Sequence, residues 1–348
     1  MENIFVYSGV STKIRGMHAR LLTTDNYNEL ASLHNTTEVI SYLKGHAGYR
    51  AILKNINEML LHRGDAEKLF TLSLYRDYSK LYSFSSGEPR KFLKLYFKRY
   101  EIELINYCFR IIFNHYDVPL DLKYKKDFFD RYSKISIDKL LTSTTIEALI
   151  ENLKDTEYYK PLKIIQNSAA SSLFDYDLAL NLYYFTTLWK QRGRFLSKHD
   201  YAIFTKDYGT KIDLLNLQWV CRAKKNYSMY STDIHALLIP IHYKLSENTF
   251  KELIETTSTD DFETALKKTS YYRKYNLEKG LNIEALYKDC LGHIYLIDRR
   301  KYPYSIAAIN TYLFLKEEEC STLTTILESI RYGLPTRQIL EYIGDKPK

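Results

Sequence analysis

The chain has 348 residues and a formal net charge of +8, from 50 basic and 42 acidic residues. This excess is compatible with an anionic partner or a lipid surface but requires neither. No run of about eighteen uncharged apolar residues occurs, so we expect no membrane span. The N-terminal residues also lack the pattern of a signal peptide.

Glycine (12) and proline (7) are scarce, whereas tyrosine contributes 33 residues. This composition favours long helices whose tyrosines are half-buried, with apolar rings and wet hydroxyl groups. The four cysteines are widely separated and form no CxxC pair. We therefore expect reduced, mostly buried thiols, as in a cytoplasmic protein.

A two-part pattern first appears near residue 22. Leu22, Thr23 and Tyr27 have the spacing of a hydrophobic staple around a helix N-cap, and Leu43–Tyr49 then reads Leu-Lys-x-x-x-x-Tyr. We expect the next helices at 52–62 and 66–82, with Arg63-Gly64-Asp65 ending the former. A longer helix is expected at Phe92–Phe113, where apolar residues fall on one face.

The pattern returns twice. Its second copy has Leu141, Thr142 and Ile146, followed by 153–159, and its third has Leu245, Ser246 and Phe250, followed by 266–272. Long helices are expected after each copy, at 174–189 and 208–225, and then at 281–299 and 306–330. Gly333 and Pro335 are typical of a helix stop.

The Leu-Lys pairs at Leu43, Leu153 and Leu266 are 110 and 113 residues apart. Near-constant spacing predicts one helical unit used three times, in an all-α fold. We place the three repeats at 1–122, 123–230 and 231–348. In the middle copy the two halves of the pattern are separated by only 4 residues, against 13 in the others, so the repeats cannot be identical.

Each repeat closes with an acidic residue on its last long helix. These residues are Glu103, Asp213 and Glu319, and a small polar residue follows each by one turn. The favoured interpretation is a charge on the helix surface that pairs with Lys or Arg one turn away. The alternative is a role at a partner interface.

Motifs of catalysis and cofactor binding are missing. The sequence contains no GxxxxGK[ST] loop, no GxGxxG after a strand and no GxSxG. His235 and His242 have neither an HExxH arrangement nor acidic ligands nearby, so we interpret them as packing or surface residues. We predict no catalytic residues, no metal site and no cofactor.

Basic residues cluster around Arg90, Arg222, Lys267 and Arg299, with tyrosines between them. Such clusters could hold RNA, with phosphates on the cations and bases stacked on the rings. Acidic residues are interspersed almost everywhere, however, which favours a solvated or protein-binding surface.

The three repeats, the opening Tyr7…Ile14-Arg15…Arg20-Leu21-Leu22 and the ending FLKEEE…ILESIRYGLP together form a recognisable profile. The chain resembles the C subunit of the archaeal and bacterial A/V-type rotary ATPases, which is called the d subunit in the vacuolar enzyme. The resemblance covers nearly the whole chain, although its motifs are diffuse helical patterns.

The resemblance implies a funnel-like body of three helical units around a pseudo-threefold axis. It also implies a non-catalytic central-stalk protein, peripheral on the cytoplasmic face of the membrane. Such a protein joins the proteolipid rotor ring to the central shaft, made of the D and F subunits. An RNA-binding helical scaffold and an enzyme with a site between repeats are the alternatives. The residues that we select as interface candidates are Arg90, Lys91, Lys94, Glu103, Asp213, Arg222, Glu319 and Arg331.

Overall fold

A computed structural model describes residues 2–114, 119–168, 172–227, 229–275 and 283–344. Within these ranges the regular structure is entirely helical, which confirms the all-α prediction. Across the same ranges, no helix combines the length and apolar character that a bilayer crossing requires. The pseudo-threefold, funnel-like arrangement stays a prediction.

The described helices come in three sets of six, and one helix follows the last set. The first set is α1 Glu2–His18, α2 Thr24–Ala31, α3 Thr36–Gly45, α4 Arg50–Leu53, α5 Arg63–Ser83 and α6 Gly87–Phe113. The second is α7 Lys126–Tyr132, α8 Ile137–Leu141, α9 Ile146–Asn152, α10 Tyr159–Gln166, α11 Leu173–Phe195 and α12 Lys198–Tyr227. The third, with the final helix, is α13 Ser231–Leu237, α14 Glu247–Glu255, α15 Thr259–Lys267, α16 Ser270–Tyr275, α17 Ile283–Lys301, α18 Ile306–Arg331 and α19 Thr336–Ile343.

Every set has the same order: one leading helix, three short helices and two long helices. The expected long helices at 92–113, 208–225 and 306–330 are confirmed as the cores of α6, α12 and α18. The chain forms two compact units, Met1–Arg90 with Tyr295–Lys348, and Lys91–Ile294. The division into repeats at 122 and 230 stays a prediction.

Helix α18 is the centre of the first compact unit, where it contacts α1, α2, α3, α5 and α19. Leu323, Ile326 and Leu327 are completely buried among side chains of α2, α3 and α5. Burying an aliphatic side chain of this size contributes about 1.5–3 kcal/mol. The C-terminal long helix therefore holds the N-terminal short helices in place.

Helix α6 is packed through aromatic rings in the second compact unit. The ring of Phe97 lies 5.1 Å from that of Phe128 and 5.5 Å from that of Phe129. Further along the helix, Phe109 stacks on Tyr176 of α11 at 4.6 Å. Residues 121–134 are highly charged, but the segment packs against α6 because its two phenylalanines are buried.

The predicted N-caps are confirmed in the first and third sets. Thr23 forms a capping box with Asn26 at the start of α2, and the Ser246 hydroxyl accepts the Thr249 N–H at the start of α14. Thr142 is a wrong prediction, because it ends α8 instead of beginning a helix. Ser136 caps α8 in its place, with the buried Ile135 before it.

This correction also changes the apparent shortening of the middle copy. Ser136 precedes Leu153 by 17 residues, and Thr23 precedes Leu43 by 20. The second set is therefore three residues shorter over this stretch, mainly because α8 has 5 residues against 8 in α2.

The predicted helix at 52–62 is wrong. Helix α4 ends at Leu53, and a short 3-10 turn follows at Glu58–Leu60. The Asn57 side chain accepts the Met59 N–H, a local bond that competes with helix continuation. Arg63-Gly64-Asp65 consequently begins α5 and does not end a helix.

The stop after α18 is confirmed. Gly333 has a φ of 67°, and its N–H donates to the Ile330 carbonyl. The Leu334 N–H reaches back to the Ser329 carbonyl at 3.0 Å, which completes a Schellman motif. The left-handed residue directs the chain into α19, whose Ile339 is buried in the same core.

Gly209 of α12 marks a close approach to the loop before α14. A methyl group added there would lie 2.6 Å from Cγ and 2.8 Å from Cβ of Tyr243. Those atoms are at the base of the side chain and cannot swing aside, so we expect Gly209→Ala to destabilise the protein by about 1–3 kcal/mol. In α1, Gly16 has nothing within 4 Å of the same position, and Gly16→Ala should be neutral or stabilising by up to about 1 kcal/mol. Urea unfolding of both variants tests the contact, and equal effects would contradict it.

Candidate functional site

Three buried carboxylates, each on the last long helix of a set, form the most distinctive polar feature of the described chain. They are Glu101 on α6, Asp213 on α12 and Glu319 on α18. Each accepts a hydrogen bond from a buried tyrosine hydroxyl. A charged group is costly to bury without partners, and all three acids have them.

Glu319 is 2% exposed and lies among α18, α2 and the loop before α4. One carboxylate oxygen accepts the Leu22 N–H at 2.6 Å. The other accepts the Tyr49 hydroxyl at 2.7 Å and the Lys316 ammonium at 2.6 Å. The Lys316 ammonium also lies 4.3 Å from the centre of the Tyr49 ring. The cluster thus contains a buried ion pair whose acid is held by donors from three separate segments.

Charge state in this cluster follows from opposing effects. Burial lowers the pKa of Lys316, but the Glu319 carboxylate together with Cys320 and Asp77 outweighs burial and leaves that pKa above its ordinary value. Burial, reinforced by Glu319, raises the pKa of Tyr49 well above its ordinary value. At neutral pH the lysine is therefore charged and the tyrosine hydroxyl remains a donor.

Asp213 is completely buried and accepts four hydrogen bonds. Three come from consecutive backbone N–H groups, those of Tyr243 (3.1 Å), Lys244 (2.7 Å) and Leu245 (3.2 Å). The fourth comes from the Tyr271 hydroxyl at 2.9 Å. Burial raises the pKa of Asp213, although these four donors act in the opposite direction. The acid fixes the loop that leads into α14.

Glu101 is 8% exposed on α6. It accepts the Tyr158 hydroxyl at 2.6 Å and a second bond from the Ser133 hydroxyl. Burial, with the Glu101 charge adding to it, raises the pKa of Tyr158 well above its ordinary value. Ser133 precedes the Ser136 cap of α8, so this acid too is bonded to the segment that enters the short helices.

The three clusters share one order along the chain. Each acid binds the short helices of a different set from its own: Glu101 of the first set binds the second, and Asp213 of the second binds the third. Glu319 of the third set binds the first, and its partner Leu22 is 297 residues away. The last long helix of the first and second sets is thereby bonded to the short helices of the set that follows, and that of the third set to the segments that flank the short helices of the first.

The sequence predicted two of these three acids and misplaced the third. Glu103 is exposed and pairs with Arg99 at 3.0 Å, four residues earlier, so the surface interpretation is confirmed there. It is wrong for Asp213, which is buried; Glu319 is also buried, but it pairs with Lys316 one turn earlier as predicted. Glu101, not Glu103, occupies the matching position, because it lies one turn from the buried Phe97 on the inner face of α6.

Two of the three predicted tyrosines are displaced as well, by one residue instead of two. Tyr49 is the bonded tyrosine in the first set, as the Leu-Lys-x-x-x-x-Tyr pattern indicated. In the other sets the bonded residues are Tyr158 and Tyr271, not Tyr159 and Tyr272. The doubled tyrosines concealed the correct register, and the first set has one additional residue between leucine and tyrosine.

Adjacent tyrosines give a matched test of this register. We expect Tyr158→Phe to destabilise the protein by about 1.5–3 kcal/mol, because it removes a buried bond to a charged acceptor. Tyr159→Phe should cost less than about 0.5 kcal/mol, since that hydroxyl is 3.4 Å from Glu151 at an exposed position. Chemical unfolding of the two variants decides the matter; the reverse ranking would show that Tyr159 carries the contact.

The remaining interface candidates lie at the surface to different extents. Lys91, Lys94, Arg222 and Arg331 are exposed, whereas Arg90 is half-buried. The Arg90 guanidinium lies 4.9 Å from the centre of the Tyr82 ring and donates to the Tyr82 carbonyl. Arg90 therefore packs partly against its own chain, through Tyr82.

The described residues show little sign of a metal site, a functional histidine or a reactive thiol. They contain no group of three His, Cys, Asp or Glu arranged to hold a metal ion. His235 and His242 are exposed, consistent with surface residues. Cys108, Cys221 and Cys290 are buried free thiols, and burial raises the pKa of Cys108 to about 12. Such a thiol is a poor nucleophile at neutral pH.

Comparison with known proteins gives a consistent result over nearly the whole chain. The model of the family described as ATP synthase (C/AC39) subunit matches residues 10–342. The C subunit of the A-type ATP synthase of Thermococcus kodakarensis is 24% identical over 352 residues, covering 97% of this chain and 90% of the relative. The same subunit of Methanosarcina barkeri is 26% identical over 347 residues, with 97% and 92% covered. That of Methanocaldococcus jannaschii is 24% identical, with 96% and 85% covered.

Proposed function

Since the chain belongs to the ATP synthase (C/AC39) subunit family, we propose that it is a non-catalytic central-stalk subunit of an A/V-type rotary ATPase. In this role it couples the central shaft, formed by the D and F subunits, to the proteolipid ring in the membrane. It sits at the cytoplasmic side of the membrane and turns with the rotor, for ion transport driven by ATP or for ATP synthesis.

The observation that carries the proposal is the series of three acid–tyrosine clusters. A protein that transmits torque has to resist shear between its helices. A buried carboxylate with several donors fixes two segments in one geometry, and breaking it exposes a charge to an apolar interior. Because each cluster joins one set of helices to the next, the clusters lie where shear between repeats would act.

The surface of the chain supports the same role. A coupling protein binds its partners over broad complementary faces and needs no reactive pocket. Lys91 and Lys94 are exposed cations on α6 that form no ion pair in the described chain. We assign them to salt-sensitive attachment near ring loops and anionic lipid headgroups, where each well-placed cation contributes about 1 kcal/mol. Glu103, Arg222 and Arg331 are further residues that we propose for partner contacts.

A pull-down of the tagged chain from its native membranes in mild detergent tests the function. We expect recovery of the proteolipid ring and of the two shaft subunits. Recovery of RNA or of a soluble protein in their place would contradict the proposal and favour a binding scaffold.

The same experiment tests the attachment surface separately. Lys91→Gln with Lys94→Gln should release the ring at a lower salt concentration than the unaltered chain. Lys160→Gln with Lys190→Gln removes the same charge from exposed positions elsewhere and should have little effect. Equal release by both double variants would show that net charge, not this surface, governs attachment.

A further inference from the structure

A groove of about 380 Å³ in the first compact unit is lined by four cationic or imidazole side chains. Arg15 and His18 line it from α1, and Arg299 and Arg300 line it from the last turn of α17. Its floor includes the buried Ile14. The groove therefore brings three guanidinium groups and one imidazole to a single concave surface.

These cations are not neutralised by the protein. None of the lining residues is acidic, and the neighbouring Asp298 is buried and does not line the groove. Within the described chain, Arg299 and Arg300 form no ion pair, and the contact of Arg15 is with the ring of Tyr304 at 5.9 Å. Three like charges have been brought together without a counter-charge, which raises the electrostatic energy of the groove.

The charge states of the groove show this repulsion. Burial lowers the pKa of His18, and the nearby Arg299 lowers it further, so the imidazole is neutral at physiological pH. Burial and the charge of Arg300 lower the pKa of Arg299. An anion placed among these side chains would relieve the repulsion between the cations.

We propose that this groove binds a phosphate-bearing anion, either free in solution or as the headgroup of a lipid. A phosphoryl group offers three oxygens to three guanidinium forks, whereas a single carboxylate fills only one fork. The volume is at the lower end of the range for small-molecule sites, which suits a pyrophosphate or a phosphorylated headgroup. This binding is independent of the proposed coupling function.

Isothermal titration of the full chain with sodium pyrophosphate tests the free source, and flotation on phosphatidylcholine vesicles with or without phosphatidylinositol 4-phosphate tests the lipid source. We expect binding in at least one arm. Arg299→Gln with Arg300→Gln should weaken it about 100-fold, because each charge-assisted contact contributes about tenfold. Arg15→Gln, on the other helix, should weaken it about tenfold and gives a second variant should the first fail to fold.

A matched control separates this groove from general electrostatics. Lys13 lies on α1 and Arg20 in the turn that follows it, and both line a different groove; neither forms an ion pair in the part of the chain that the structure describes. Lys13→Gln with Arg20→Gln removes the same charge and should change binding less than about twofold. Equal loss in the two double variants, or no binding in either arm, would overturn the proposal.

Discussion

Glu319→Ala is expected to lower the free energy of unfolding by about 3–5 kcal/mol. The substitution leaves the Lys316 ammonium buried at 2% exposure with no counter-charge. It also removes the acceptor of the Leu22 N–H and of the Tyr49 hydroxyl. The loss should appear in urea unfolding at neutral pH, and it should weaken the attachment of α2 to α18 first.

A double-mutant cycle separates the ion pair from the rest of the cluster. Lys316→Met combined with Glu319→Gln removes both charges while a side-chain oxygen remains for the Leu22 N–H. We expect the double variant to recover at least about half of the unfolding free energy that Glu319→Ala loses, since replacing both members of a buried pair costs less than removing one. If the double variant were as unstable as the two single changes added together, Lys316 and Glu319 would not be coupled.

Asp213→Ala is expected to cost about 3 kcal/mol or more, the second-largest effect. It leaves three consecutive N–H groups, of Tyr243, Lys244 and Leu245, and the Tyr271 hydroxyl without their acceptor. Each unsatisfied buried donor costs about 1–3 kcal/mol, and partial entry of water limits the sum. Amide hydrogen exchange should report the damage directly, as faster exchange at these three positions.

Two further variants calibrate this result. Asp213→Asn retains one acceptor oxygen and should lose less stability than the alanine variant. Glu103→Ala removes an exposed acid from the matching predicted position and should change stability by less than about 0.5 kcal/mol. A loss for Glu103→Ala as large as that for Asp213→Ala would contradict the assignment of the buried acids.

Helix positions were predictable because apolar spacing directly reflects the buried face of a helix. That spacing correctly indicated α6, α12 and α18, and local cap chemistry correctly indicated Thr23 and Ser246. The prediction of a helix at 52–62 failed because apolar spacing carries no information about the local hydrogen bond between the Asn57 side chain and the backbone. Short-range competition of this kind decides where a helix ends.

The acid clusters were harder to predict because their bonds join distant parts of the chain. Periodicity marked an acid on each last helix, but Glu101 and Glu103 differ only in which face of α6 they occupy. A helix wheel that placed Phe97, Glu101 and Ile105 together would have selected Glu101, since neighbours in this series lie one turn apart. The link from Leu22 to Glu319 has no local signal, because it depends on how α18 packs against α2.

Coupling between the shaft and the ring is the central claim, and ATP-driven ion uptake tests it most directly. Vesicles should be reconstituted with the complete rotary ATPase or with the complex lacking this chain, and ATP hydrolysis and ion uptake measured on the same samples. We predict that without the chain hydrolysis persists while uptake is lost, and that adding the purified chain restores uptake. Undiminished uptake in its absence would contradict the account.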